Sequence, residues 1–273
     1  MNVRLIALGA ITLIWVVFNG MMPTQAQDTE PINIVTTTTQ ASDVVMILSD
    51  GVPEDAVNIT PLMGAGVDPH LYQPTESNIR AMNAAQAVIY SGLHLEGQFD
   101  EVFEALSEQG VRIYAMSDPV LNAGFIIGGF DLSEELTNVD DPHFWFDPLN
   151  WQLVVLDLAD FLSDLDPDHA DIYQANAEAY YDQLQLLWEW AGDALGSVPE
   201  AQRVLVTSHD AFQYFGLSFG WDVRGLQGIS TEDEAGVADI QDISRFVVEN
   251  EIPVLFVESS VPPDAIEAVQ EAV

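Results

Sequence analysis

The sequence predicts an α/β protein made of two open α/β lobes that one long helix joins. Short β-branched apolar segments alternate with amphipathic segments of helical length in both halves of the chain, which is typical of parallel βαβ units. Between the halves, residues 169–195 have helical periodicity and contain no Gly or Pro before Gly192. A helix of that length predicts a rod between two lobes.

The N-terminal half contains four predicted strands with helices between them. The strands are residues 32–37, 57–62, 87–90 and 111–116, and the helices are residues 41–49, 76–87 and 99–109. Thr75 or Ser77 is positioned to cap the second helix, and Gly110 ends the third. Loops that leave the carboxyl ends of such strands are where ligands bind in open α/β sheets.

The C-terminal half begins with helices and then returns to the α/β pattern. Predicted helices at 151–162 and 169–195 precede strands at 203–207 and 254–257, helices at 210–219 and 237–250, and a last helix from Pro263. We therefore expect an N-terminal lobe at 27–165, a linking helix at 166–198 and a C-terminal lobe at 199–273. Because no helix stop signal precedes Val273, we expect the natural product to continue beyond it.

Residues 1–26 have the pattern of a secretory signal peptide. Arg4 precedes an uncharged run at 5–18, and Thr24-Gln25-Ala26 offers small residues for cleavage before Gln27. The alternative is a membrane anchor helix, but the run is short for a bilayer span and polar residues follow it. The sequence thus predicts an exported protein, periplasmic or extracellular, that is soluble after cleavage.

Charge and cysteine content exclude several classes of partner and site. The chain has 44 acidic residues against 6 basic ones, all of them arginine, for a net charge of −38. Such a surface repels nucleic acid, so we expect no nucleic-acid partner. The acids are spread along the chain, which favours a solubility adaptation over one acidic site. With no cysteine present, any metal ligands must come from His, Asp and Glu.

Three of the five histidines lie where a predicted strand passes into a loop or helix. His70 and His143 each follow a proline, and His209 ends the segment RVLVTSH, two residues after the predicted strand at 203–207. Neutral imidazole is the commonest transition-metal ligand, and a preceding proline restricts the backbone that positions it. Nearby carboxylates are suited to orient the rings; they are Asp68, Asp141 and Asp210.

Each of these histidines also has a plainer interpretation as a surface or capping residue. His94 lies between leucines and is interpreted as structural, and His169 as a residue at a helix start. From the residues alone, metal binding at His70, His143 and His209 and the absence of a metal site remain equally open.

Six segments together resemble one family. They are GVDPHLYQPT (66–75), YSGLHLEGQFD (90–100), DPHFWFDPLNW (141–151), VTSHDAFQYFGLSFG (206–220), GLQGISTEDEAG (225–236) and LFVESS (255–260). In this order they resemble the zinc and manganese substrate-binding proteins of bacterial metal ABC transporters, the TroA-like family. The resemblance covers nearly all of the chain after residue 26.

The resemblance implies a metal site in the cleft between the two lobes. It implies one Zn²⁺ or Mn²⁺ per chain, held by His70 and His143 from the first lobe and His209 from the second, and delivered to a membrane permease. It also implies a fourth, carboxylate ligand, which we expect beyond Val273. A histidine at 209 resembles zinc-type and mixed members, whereas residues 118–140 lack the histidine-rich loop of some zinc members.

Two other functions compete with metal transport. A zinc hydrolase also uses about three protein ligands but needs a general base, for which Glu258 and Asp210 are the candidates. The chain contains no HExxH element, so we expect no enzyme. The other alternative is a surface adhesin that needs no metal.

Overall fold

The computed structural model describes residues 30–130, 137–232 and 234–273, so the predicted signal peptide lies outside the described residues. Within those ranges, no helix has both the length and the apolar character that a bilayer span requires. The predicted fold class is confirmed: two regions of parallel sheet are separated in the chain by helices, one of them very long.

A four-stranded parallel sheet forms the centre of the N-terminal lobe, in the order β2-β1-β3-β4. The strands are β1 (Ile32–Thr36), β2 (Val57–Pro61), β3 (Ala87–Tyr90) and β4 (Arg112–Ala115). The helices are α1 (Thr39–Leu48), α2 (Glu76–Asn83), α3 (Asp100–Glu108) and α4 (Asp118–Ala123). Successive residues of β1, Ile34 and Val35, belong to apolar clusters on opposite faces of the sheet, as a doubly covered parallel sheet requires.

Side chains at the helix starts explain where the first helices begin. The Thr38 hydroxyl accepts a hydrogen bond from the backbone N–H of Ala41 at the start of α1. Thr75 and Asn78 form a reciprocal capping box at the start of α2, so Thr75 is the cap of the two predicted residues. The predicted helix 76–87 is too long, because α2 ends at Asn83 and a turn leads into β3.

Two antiparallel strands and two helices follow the first sheet. They are β5 (Gly128–Phe130), β6 (Val139–Asp140), α5 (Pro148–Leu165) and α6 (Ala170–Gly196). Tyr173 and Ala177 of α6 pack in one apolar cluster with Val155 and Leu158 of α5. With 27 residues, α6 is about 40 Å long at 1.5 Å per residue, and Trp190 near its end is exposed.

The C-terminal lobe has two parallel strands and three helices. They are β7 (Val204–His209), α7 (Gln213–Phe219), β8 (Asp222–Gln227), α8 (Val237–Glu249) and α9 (Asp264–Ala272). Val206, Leu226, Val247, Ile266 and Val269 form its buried apolar cluster.

The predicted strand at 254–257 is reduced to a single bridge between Phe256 and Thr207. Val254 is 50% exposed and Val257 is 64% exposed, so this segment is an open edge rather than a buried strand. Its only backbone bond to β7 among the described contacts is Phe256 N–H to the Val206 carbonyl, at 2.9 Å.

Strand β8 was not predicted, because its residues Asp-Val-Arg-Gly-Leu-Gln lack a β-branched apolar run. Gly225 makes its position in the sheet attainable: a Cβ there would lie 2.4 Å from the backbone nitrogen of Asp210. The glycine thus lets β8 pass close to the turn that follows His209.

We expect Gly225→Ala to lower the free energy of unfolding by about 1–3 kcal/mol, the usual cost of overpacking against a fixed backbone. Gly228→Ala is the matched control, because a Cβ at Gly228 meets nothing within 4 Å. Urea unfolding of the metal-free chain measures both, and the control should stay within about 0.5 kcal/mol of the wild type. Equal stability of the two variants would contradict this packing.

Candidate metal centre

Three buried histidines meet where the two lobes face each other. His70 lies in the loop between β2 and α2, His143 lies between β6 and the turn that leads into α5, and His209 is the last residue of β7. Their exposed fractions are 6%, 2% and 6%. The structure therefore brings all three predicted site residues together from separate parts of the chain.

The ring nitrogens of these histidines have the spacing of metal ligands. His143 Nε2 lies 3.3 Å from His70 Nε2 and 3.3 Å from His209 Nε2. A tetrahedral zinc ion with Zn–N bonds of about 2.0–2.1 Å puts its ligand nitrogens about 3.3–3.4 Å apart. Among the described residues, these three form the one group of at least three His, Cys, Asp or Glu side chains with donors within 4.8 Å of one another.

Carboxylates face the opposite side of two of the rings. Asp141 Oδ1 lies 2.7 Å from His143 Nδ1 and also accepts the backbone N–H of His143 at 2.9 Å. Glu258 Oε2 lies 2.6 Å from His209 Nδ1, and its Oε1 accepts the His209 N–H at 3.0 Å. A carboxylate beside Nδ1 favours the proton there, so the neutral form of such a ring has its lone pair on Nε2.

His70 is held through its backbone. Asp68 Oδ1 accepts the His70 N–H at 3.0 Å, and Asp68 Oδ2 accepts the Thr231 hydroxyl at 2.6 Å. Asp141 thus contacts the ring that it was predicted to orient, whereas the hydrogen bond described for Asp68 is to the backbone of His70 and not to its ring.

Asp210 does not orient a histidine ring, contrary to the prediction. Its Oδ1 accepts a hydrogen bond from Gln213 Nε2 at 2.7 Å. Glu258 contacts His209 instead. A signal for this was present in the sequence. Glu258 directly follows the predicted strand 254–257 and His209 comes two residues after the predicted strand 203–207, and neighbouring parallel strands end at one edge of a sheet.

Burial keeps two of the imidazoles neutral. Desolvation, followed by repulsion from His143, lowers the pKa of His70 to about 3, although Asp68 opposes this. Desolvation and then repulsion from His209 lower the pKa of His143 well below its usual value. Burial raises the pKa of Asp141 to about 7. At neutral pH, His70 and His143 are therefore neutral imidazoles, each with one unprotonated ring nitrogen that can bind a cation.

The three histidines line a cavity of about 220 Å³, together with Trp145 and Glu258. Drug-sized organic ligands occupy pockets of about 300–1,000 Å³, so this space suits an ion with a few water molecules better than an organic substrate.

The other two histidines lie outside the cluster. His94 Nδ1 pairs with Asp100 Oδ2 at 2.8 Å, and the side chain is 54% exposed. His169 Nδ1 pairs with Asp166 Oδ2 at 2.8 Å just before α6. His94 thus has a side-chain partner, as its structural interpretation expects, and His169 lies at a helix start as predicted.

Comparison with known proteins places this site in a family. The family model described as zinc-uptake complex component A, periplasmic, matches residues 34–273. The manganese-binding lipoprotein MntA of Bacillus subtilis is 36% identical over 242 residues, which cover 89% of this chain and 76% of that protein. The manganese ABC transporter substrate-binding lipoprotein PsaA of Streptococcus pneumoniae is 27% identical over 225 residues, covering 81% of this chain and 71% of that protein.

A solved structure agrees with these matches. The periplasmic zinc-binding protein TroA from Treponema pallidum superposes with a TM-score of 0.79 at 36% identity, covering 89% of this chain and 83% of that chain. The match of the family model over residues 34–273 includes both lobes and all three histidines. The chain belongs to the family of periplasmic zinc-uptake components.

Proposed function

We propose that this chain is an extracytoplasmic solute-binding protein that captures one zinc or manganese ion and delivers it to an ABC importer in the membrane. The observation that carries the proposal is the convergence of three Nε2 atoms, with 3.3 Å between His143 and each of the other two. Relatives named for manganese binding, periplasmic zinc binding and ABC transport support it.

His70, His143 and His209 are the proposed ligands of the transported ion. Two ring nitrogens 3.3 Å apart repel when both present lone pairs, and a cation between them replaces that repulsion with attraction. Three neutral ligands leave the ion's double charge uncompensated, and the carboxylates of Asp141 and Glu258 behind two of the rings offset part of it. One coordination position remains for water or another donor.

The same contacts give a hydrolase less support. The two carboxylates considered as general bases are both engaged, Glu258 beside His209 Nδ1 and Asp210 with Gln213. A general base must reach the water it activates. A role in metal transport also explains the buried imidazole cluster better than a role as a metal-independent adhesin, because adhesion without a metal does not require converging ligands.

Replacing any one of His70, His143 and His209 by Ala should weaken zinc binding by more than about 100-fold, beyond the 10–100-fold that loss of an outer partner costs. Chelator-stripped protein should rebind one zinc or manganese ion per chain in isothermal titration calorimetry. His94→Ala is the control, because this exposed histidine pairs only with Asp100 among the contacts described.

The same variants test delivery. In cells that lack the gene, the wild type and His94→Ala should restore uptake of radioactive zinc, and the three ligand variants should not. An affinity loss in His94→Ala equal to that in the ligand variants would refute the assignment of ligands.

Metal affinity should fall as the pH drops below about 7, where Asp141 takes up a proton in the metal-free protein. An ion on His143 favours the ionised form of the Asp141 carboxylate. Metal binding below about pH 7 therefore releases the proton of Asp141, and the affinity reaches its maximum only above that pH. Calorimetry at pH 6 in buffers of different ionisation enthalpy counts the protons released.

Asp141→Asn is the matched variant for this pH effect, since it keeps the shape of the side chain and removes the titration. We expect it to release about one proton fewer than the wild type and to bind zinc about 10–100-fold more weakly. Equal proton release by the two proteins would show that Asp141 is not the group that titrates.

A further inference from the structure

The two lobes are joined firmly on one side of the cleft. The hydroxyl of Tyr214 in α7 donates a hydrogen bond to the Asp141 carbonyl at 2.9 Å and accepts one from the Ile127 N–H at 3.1 Å. The ring is 2% exposed and belongs to the large apolar cluster of the N-terminal lobe. This side therefore shares a core between the lobes.

Elsewhere, two side-chain hydrogen bonds from the loop after β8 also bridge the lobes. The Thr231 hydroxyl donates a hydrogen bond to Asp68 Oδ2 at 2.6 Å, and the two residues are 163 positions apart in sequence. Gln98 Nε2 donates to Glu232 Oε1 at 3.2 Å. Gln98 and Glu232 are exposed, so water competes for their bond, whereas Thr231 is 7% exposed.

We propose that Thr231 is a positioning residue that holds His70 in place from across the cleft and slows release of the metal. This inference rests on the proposed function, because it assigns a role to a residue that does not touch the ion. Asp68 is the connecting group: one carboxylate oxygen accepts the His70 N–H and the other accepts the Thr231 hydroxyl.

The two bonds of Asp68 couple a ligand to lobe closure. Separation of the lobes at this loop breaks the bond between Thr231 and Asp68, and Asp68 is then free to turn away from the His70 N–H. His143 and His209 lack this dependence, because their carboxylate partners contact the rings directly. His70 is therefore the ligand whose position depends on closure, and it is the first to leave the ion when the cleft opens.

A short hydrogen bond to a carboxylate is stronger than one between neutral groups. When it is lost in a buried place, the carboxylate left without its partner carries the full cost of desolvation. We expect Thr231→Val, which keeps the shape and removes the hydroxyl, to speed zinc release at least about tenfold. Thr231→Ser keeps the donor and should release zinc at nearly the wild-type rate. Stopped-flow transfer of zinc to a chromogenic chelator measures the rates on the full chain.

Two control variants distinguish this role from a nonspecific weakening of the loop or of the contact between the lobes. Ser230→Ala removes a hydroxyl from the same loop, where Ser230 Oγ accepts only the nearby Glu232 N–H among the contacts described. Gln98→Ala removes a bond that crosses the cleft but is not connected to a ligand. Both should release zinc within about twofold of the wild type, and all variants should still bind one ion per chain.

A double-mutant cycle with Asp68→Ala tests the route. If Thr231 acts through Asp68, Thr231→Val should add little to the release rate of Asp68→Ala. Three results would overturn the inference and leave the proposed function standing. Thr231→Val could release zinc at the wild-type rate, Gln98→Ala could speed release as much as Thr231→Val does, or Thr231→Val could have its full effect in the Asp68→Ala background. A wild-type chain that binds no zinc would overturn both the inference and the proposed function.

Discussion

The site depends on one constraint, which is that three buried imidazoles converge on a common centre inside the protein. Nitrogens 3.3 Å apart repel each other when none carries a proton between them. Burial lowers the pKa of His70 and of His143, which disfavours the protonated form of both rings. The fold therefore holds the rings in an arrangement that suits a cation.

The architecture provides that rigidity from several directions. His209 is fixed as the last residue of a strand, with Glu258 of the neighbouring segment against its ring and backbone. His143 is fixed between a short antiparallel pair and α5, with Asp141 against both its ring and backbone. In each case one carboxylate lies against both the backbone N–H and the ring, so a single side chain orients both.

Much of the fold could be predicted from the sequence, because its signals are local. Thr75 in its capping box, Gly110 with its positive φ of 91° and the uninterrupted periodicity of α6 are properties of adjacent residues. Strand β8 and the pair β5 and β6 were missed, because short or Gly-containing segments form strands only through their partners in the fold.

The same division between local and tertiary signals applies to the site. The three histidines were singled out as candidates from proline-stiffened loops and a strand end, and the family resemblance implied them as ligands. The partner of His209 was missed, because Asp210 is adjacent in sequence, whereas Glu258, 2.6 Å from Nδ1, is found only when the segments 203–207 and 254–257 are placed side by side. The bond between Thr231 and Asp68 was also missed, since no sequence pattern links residues 163 positions apart.

X-ray absorption spectroscopy at the zinc edge tests the central claim most directly, because it counts the imidazoles on the ion. For the chain loaded with one zinc ion at pH 7.5, the account predicts three imidazole nitrogens at about 2.0–2.1 Å. The His143→Ala variant should lose one imidazole or fail to retain the ion. Fewer than three imidazoles in the wild type, or a spectrum that His143→Ala leaves unchanged, would contradict the account.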